Sequence, residues 1–328
     1  MISFEDSFFV AGHNGMVGSA VVRALKKNGY ENLLLENRNS LDLSRNKDVE
    51  IWFKNNKPNV VIIAAAKVGG IYANNSYPTQ FLLENLKIQN NIIENAWKSG
   101  SKRLLFLGSS CIYPKNCPQP IKEEYLLSGY LEETNEAYAI AKIAGIKLCQ
   151  ALRKQYQFDA ISLMPTNLYG PGDNYNISNS HVLPAFIRKF YLAVSQGKKE
   201  VTCWGTGNPL REFLHVDDLG EACVHVLKKF NPNSEDSINF NNENLNFLNV
   251  GTGKDLKIKD LAEMVAKATG FEGEIKWDLS KPDGTPKKQL DITNIKKIGW
   301  EPKINLKEGI EMTLKLFIEC YKKGEIRY

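Results

Sequence analysis

A chain of 328 residues exceeds one ordinary domain and falls short of three, so two domains or one large α/β unit with an appended lobe are expected. Its 43% hydrophobic and 24% charged residues exclude overall disorder, and the absence of any apolar stretch of about 18 residues excludes a helical membrane span. The net charge of +5 (42 Lys+Arg against 37 Asp+Glu) is mild and scattered, which argues against nucleic acid as a partner.

Ser7–Ala11 reads as a buried strand and Val17–Asn28 as the helix after it. Between them lies Gly12-His13-Asn14-Gly15-Met16-Val17-Gly18. Glycines three apart in a strand-to-helix turn permit tight turning and close backbone approach, and the helix N-terminus attracts a pyrophosphate. Asn32–Leu35 is a second strand, followed by Glu36-Asn37-Arg38. An acid there suits a ribose 2′-hydroxyl and an arginine a 2′-phosphate, so these residues leave the dinucleotide open.

Val49–Phe53 is a short helix, Val60–Ala65 a third strand, Leu82–Ser99 a long helix and Arg103–Leu107 a fourth strand. Strands alternating with helices predict a doubly wound parallel α/β sheet of Rossmann type, with a smaller mixed α/β lobe towards the C-terminus. The fourth strand runs into Gly108-Ser109-Ser110-Cys111. The long helix 137–155 carries Tyr138 and Lys142 one turn apart on one face. A lysine ammonium lowers a nearby phenol pKa, the phenol can give a proton to a carbonyl oxygen as hydride arrives, and the Ser109 hydroxyl can fix that oxygen.

Ala160–Met164 is a fifth strand, stopped by Pro165. Residues 165–212 hold turns around one helix, His181–Gln196, and are expected to form a binding surface. His215 falls in an apolar strand with a packing role, Asp217–Lys229 is a helix, and residues 231–246 are a polar surface insertion. Helices follow at Ile258–Thr269 and Leu306–Lys322, with a turn-rich segment 281–289 between them. The expected division is residues 1–164 plus about 213–246 for nucleotide binding, and about 165–212 plus 247–328 for the substrate lobe. The six cysteines form no C-x-x-C pair, so free thiols in a reducing cytoplasm and no metal site are expected. Nothing at the N-terminus reads as an export signal.

The glycine spacing resembles that of extended short-chain dehydrogenase/reductases. Ala64-Ala-Ala-Lys-Val-Gly-Gly-Ile71, Gly108-Ser-Ser-Cys-Ile-Tyr-Pro114, Tyr138-Ala-Ile-Ala-Lys-Ile-Ala-Gly145, Met164-Pro-Thr-Asn-Leu-Tyr-Gly-Pro171, Asn179-Ser-His-Val182, Arg211-Glu-Phe-Leu-His-Val-Asp-Asp218 and Asp283-Gly-Thr-Pro286 resemble one family in order: GDP-L-fucose synthase, the GDP-4-keto-6-deoxy-mannose epimerase–reductase. The resemblance implies NADPH-dependent reduction at C4 of a GDP-linked 4-keto sugar with epimerisation at C3 and C5. It implies a catalytic set of Ser109, Tyr138 and Lys142, with Cys111 and His181 moving protons beside the acidifying ketone. NADP(H) would meet Gly12, Asn14, Gly15, Met16, Val17, Gly18, Arg38, Asp42, Leu43, Ala65, Tyr138, Lys142, Pro165, Asn167 and His181. The substrate would meet Ser109, Ser110, Cys111, Asn167, Lys189, Trp204, Arg211 and Lys288.

Two residues depart from the family pattern. Asn14 stands where bacterial members often have an arginine that grips the 2′-phosphate, and Lys189 stands where an arginine commonly meets the diphosphate. Lysine keeps the charge and loses the bidentate fork. Two alternatives therefore stand beside the main reading. One is a reductase without epimerase activity on a related sugar such as a GDP-4-keto-heptose. The other is a non-catalytic NADP-binding sensor, against which the intact triad speaks. The resemblance also implies a homodimer built on the two long helices.

Overall fold

The computed structural model describes residues 1–176, 180–234, 237–238, 244–281 and 283–327. Asn179 of the Asn179–Val182 segment and part of the expected 231–246 insertion lie outside them.

The chain begins with β1 (Phe8–Ala11), α1 (Met16–Lys27), β2 (Leu33–Leu34), α2 (Asn46–Asn56) and β3 (Val60–Ile63). Then come α3 (Ile71–Ser76), α4 (Pro78–Lys98), β4 (Arg103–Leu107), α5 (Glu136–Tyr156) and β5 (Ala160–Pro165). A continuous sheet runs β2-β1-β3-β4-β5 and ends on a later strand, Phe247–Val250, with every pair parallel. Such a sheet is covered on both faces, which is why β1 and β3 are unbroken apolar runs, β4 and β5 are apolar but for Arg103 and Ser162, and every residue of the four is buried. The order reverses between β1 and β3, and a crevice opens there beyond the carboxyl ends of the strands.

The later elements are β6 (Asn167–Tyr169), α6 (Val182–Ser195), β7 (Glu200–Trp204), β8 (Leu210–His215), α7 (Val216–Lys229) and β9 (Phe247–Val250). They continue with β10 (Asp255–Lys257), α8 (Ile258–Thr269), β11 (Glu274–Asp278), β12 (Lys287–Lys288), α9 (Thr293–Lys297) and α10 (Leu306–Lys323). In a second sheet β8 is the hub. β10 pairs with it antiparallel, and β6 and β12 pair with it parallel. β7 and β11 form a separate parallel pair.

Buried apolar side chains fall into two clusters. One wraps the six-stranded sheet. The other joins Phe186, Ile187 and Phe190 of α6 to Leu261 and Val265 of α8 and Phe317 of α10. The expected boundary at 247 is corrected, because β9 pairs with β5 in the nucleotide-side sheet. Leu290, Ile292, Ile295 and Trp300 also pack into that first cluster. β5 ends at Pro165, which is itself its last residue and pairs with Val250.

Candidate active site

The glycine turn sits in the crevice between β1 and β3. Gly12 has φ +85°, and a Cβ there would lie 2.7 Å from the Ala65 backbone. A Cβ on Gly18 would lie 2.1 Å from the Gly12 carbonyl oxygen. Both positions require glycine, and together they leave the first amides of α1, from Met16 and Val17, facing the crevice from behind Gly15, the residue that precedes the helix. Asn14 donates to Asn37 Oδ1 at 2.5 Å, which ties the turn to the connection after β2. In that connection Glu36 is already engaged: it accepts from the Ser40 hydroxyl at 2.7 Å and from the Trp52 indole at 3.0 Å. The Arg38 side chain stands exposed. Asp42 accepts from the Ser44 amide and hydroxyl, which holds its carboxyl below the ordinary range. The Leu43 carbonyl accepts from Asn91 Nδ2 at 3.0 Å.

The triad lies at the carboxyl end of β4 and the start of α5. Ser109 ends the strand run, and its Oγ accepts from the Cys111 amide at 3.3 Å, closing a tight turn over Ser110–Ile112 that buries Ser110 and Cys111. Lys142 is buried, donates to the Leu107 carbonyl at 2.8 Å and lies 5.8 Å from the Tyr138 ring centroid. Burial lowers the Lys142 ammonium to about 8. The Tyr138 phenol departs from the expected sign. Its pKa is raised, first by burial and then by the neighbouring Cys111, and only its hydrogen bond with Ser109 opposes this. Desolvation governs the phenol, and the Lys142 ammonium is directed at the Leu107 carbonyl instead. A phenol held neutral is a proton donor, which is the form a ketone reduction uses.

Cys111 is likewise raised by burial, against the pull of Lys288, Ser109 and Lys142. His181 precedes α6 at the cleft wall. It is exposed to solvent yet ringed by protein, and that desolvation lowers its pKa. Among the described residues its ring makes no hydrogen bond. The resting site therefore holds a thiol and a neutral imidazole rather than a thiolate. Pro165 is buried at the end of β5, and Asn167 donates to the Glu212 carbonyl at 2.8 Å.

The expected substrate residues form two groups. Arg211 and Lys288 are register partners on β8 and β12, and Lys288 lies close enough to feel Cys111, Arg211, Cys117 and Glu132. Burial lowers the pKa of both cations. Trp204 is 49% exposed at the end of β7, with Lys189 at 5.7 Å and Lys281 at 5.6 Å from its ring centroid. Asp283 links the groups: its carboxylate accepts from Thr206, and its carbonyl faces Arg211 Nη2 at 3.5 Å. Lys281 and Glu132 were not legible from the sequence as site residues, since a lone lysine and a lone glutamate on loops carry no pattern. Phe81, edge-on to Tyr138 at 6.2 Å, lies in α4 one residue before the helix start read from the sequence, where nothing in its own surroundings marks it. It lines a pocket with Lys67, Gly69, Tyr77 and Asn174.

A parallel sheet with a glycine turn at its switch point and a Ser–Tyr–Lys set at the end of β4 defines a dinucleotide-dependent enzyme class. The chain belongs to the NAD dependent epimerase/dehydratase family, whose model matches residues 8–241. Within that family its similarity is to the GDP-L-fucose synthases. It is 54% identical over 311 residues to GDP-L-fucose synthase 1 of Arabidopsis thaliana, covering 95% of this chain and 93% of that one. It is 49% identical over 311 residues to the GDP-L-fucose synthase of Escherichia coli K12, covering 95% and 96%. A solved GDP-mannoheptose C4 reductase from Campylobacter jejuni with NADP bound matches with a TM-score of 0.87 at 37% identity, over 97% of this chain and 100% of that one.

Proposed function

We propose that this chain reduces the C4 ketone of a GDP-4-keto-6-deoxy hexose with NADPH after epimerising C3 and C5, as a GDP-L-fucose synthase. One observation carries the reading: Ser109, Tyr138, Lys142 and Cys111 stand together, and Lys288, the register partner of Arg211, lies close enough to feel Cys111 from the second sheet.

The crevice between β1 and β3 fits a dinucleotide, because Gly12 and Gly18 leave no room for side chains beneath the N-terminus of α1. NADPH, when bound, supplies hydride to C4. The residues that would hold it are Gly12 to Gly18, with Asp42, Leu43 and Ala65 along the crevice and Pro165, Asn167 and His181 towards the nicotinamide. Arg38 is the cation available to a 2′-phosphate, since Glu36 is held by Ser40 and Trp52. That favours NADPH despite Asn14.

Tyr138 holds the proton that the C4 oxygen takes up, Ser109 orients that oxygen, and Lys142 supports the phenol's orientation from the Leu107 carbonyl. Cys111 and His181 move protons at the carbons flanking the ketone, where the carbonyl acidifies the C–H bonds. Arg211 and Lys288 meet the diphosphate, with Lys189 and Trp204 at the nucleoside end. We assign the six-stranded sheet to the dinucleotide and the α6–α8–α10 lobe to the sugar nucleotide. A homodimer through α4 and α5 is supported by Leu83 and Ile140, which are 47% and 43% exposed on these helices. The cytoplasm is the compartment that suits six free cysteines.

Incubation with GDP-4-keto-6-deoxy-mannose and NADPH in D₂O tests the reading. Deuterium at C3 and C5 with C4 reduced supports it. Reduction without deuterium would move the assignment to a reductase on a related sugar, such as the heptose named for the Campylobacter jejuni structure. Binding of NADPH with no oxidation of it on any GDP-4-keto sugar would leave a dinucleotide-binding protein.

A further inference from the structure

Glu212 lies between Arg211 and Phe213 on β8, and its side chain is 0% exposed. An ionised carboxylate so placed is costly unless its oxygens are bonded. One oxygen accepts from the amides of Thr252 (2.5 Å) and Gly253 (2.7 Å), and the other from the amide of Leu290 at 2.8 Å. The backbone carbonyl of the same residue accepts from Asn167 Nδ2 at 2.8 Å and Thr166 Oγ1 at 3.2 Å. Gly251 is shaped for this arrangement, because a Cβ there would lie 2.1 Å from a carboxylate oxygen.

One buried residue thus ties three chain segments to β8. Two of these segments hold or adjoin residues assigned to the substrate, and the third is bonded to one of those two. Leu290 is two residues beyond Lys288, which is the register partner of Arg211. Asn167 follows the end of β5. The turn at 252–253 joins β9 to β10, and Gln289 donates to its Gly253 carbonyl at 2.7 Å. β12 is only two residues long, so its two ladder positions alone fix its register weakly. Gln119 and Ile121 brace the segment from the other side, and the Glu212–Leu290 bond is the side-chain tie that holds it to β8.

We propose that Glu212 is the positioning residue for the substrate diphosphate: its carboxylate sets the distance between the Arg211 and Lys288 cations by anchoring β12 and the 252–253 turn to β8. This rests on the function proposed above. The Glu212 carboxylate bonds only Thr252, Gly253 and Leu290, and Asn167 is held by the backbone carbonyl that a side-chain change leaves in place, so loss of the carboxylate acts on nucleotide-sugar binding selectively.

The test is Glu212→Gln in the full-length chain. The amide places a donor against at least one backbone N–H whichever way it is turned, while side-chain volume is kept. GDP binding is read by calorimetry, NADPH binding by fluorescence, and KM and kcat on GDP-4-keto-6-deoxy-mannose. Loss of charge-assisted hydrogen bonds predicts a GDP Kd and substrate KM raised about tenfold or more, with NADPH affinity and saturating kcat within about threefold. Glu123→Gln is the matched control. It is an equally buried carboxylate that accepts from the Asn249 amide and Asn294 but anchors β9 and α9 instead. It is expected to leave GDP affinity unchanged. Unaltered GDP affinity in Glu212→Gln, or equal losses of GDP and NADPH affinity, or an equal GDP loss in Glu123→Gln, would overturn the proposal. Where Glu212→Gln gives no folded protein, Gly251→Ala displaces the carboxylate with all charges intact, and the same split is expected; unchanged GDP affinity there also overturns it. Wild-type protein that binds no GDP defeats the functional reading itself, and the inference with it.

Discussion

At the scale of single residues, the site is governed by desolvation. Tyr138, Cys111, Lys142 and His181 are all displaced towards their neutral forms, and burial is the leading cause each time. For Tyr138 this is the donor form, and Tyr138→Phe is expected to reduce C4 reduction about 10²–10⁴-fold while NADPH still binds, read by NADPH oxidation and by fluorescence titration. For Cys111 the base is the minor species at neutral pH. With the thiol pKa above its ordinary value of about 8.5, deuterium wash-in at C3 and C5 should rise with pH through and beyond that value. Lys288 opposes the rise, so Lys288→Met should push this limb to still higher pH. A wash-in rate in the wild type that is flat from pH 6 to 9 would remove Cys111 ionisation from the rate.

At the scale of elements, short turns and buried carboxylates hold the catalytic ends of strands in place. Gly18→Ala drives a methyl group into the Gly12 carbonyl, so the first turn of α1 must shift. NADPH affinity should fall while GDP affinity is retained, a split that two separate titrations resolve. Glu123 anchors β9 through the Asn249 amide and α9 through Asn294, and burial raises its pKa from 4.5 to about 7. A carboxyl raised on folding favours the fold when protonated. Its contribution is complete below about pH 4.5 and is lost as pH rises through about 7, a swing on the order of 3 kcal/mol. Glu123→Gln removes that titration. Urea denaturation at pH 5 and pH 8 should show the variant gaining on wild type at the higher pH.

At the scale of the whole molecule, one apolar cluster wraps the six-stranded sheet that carries the glycine turn, and the Arg211–Lys288 pair lies on the second sheet. Binding only the folded chain, a ligand at about 100 times its Kd stabilises it by about 2.7 kcal/mol. NADPH and GDP should each do so in denaturant titrations. The exposed Leu83 and Ile140 belong to helices that pack on one another within the subunit, α4 against α5, and their outward apolar surface is the expected dimer face. Sedimentation should find a dimer in the wild type and a monomer in Leu83→Asp/Ile140→Asp.

The sequence by itself determined the parallel α/β sheet, because strands buried on both faces must be continuous apolar runs, and the long helices, because their apolar spacing has one reading. It also determined the glycine turn and the Ser109–Tyr138–Lys142 set, whose residues lie at the ends of those strong elements. The second sheet was decided by tertiary structure. β6, β10 and β12 are two or three residues long, and Lys287–Lys288 or Asp255–Lys257 carries no strand pattern of its own. They exist because β8 offers hydrogen-bond partners on both sides. The assignment of β9 to the first sheet, the raised phenol of Tyr138 and the junction at Glu212 share that origin. Each depends on which separate segments exclude water from a group, and contacts as far apart as Glu212 and Leu290 (78 positions) or Pro165 and Val250 (85 positions) leave no mark on local sequence.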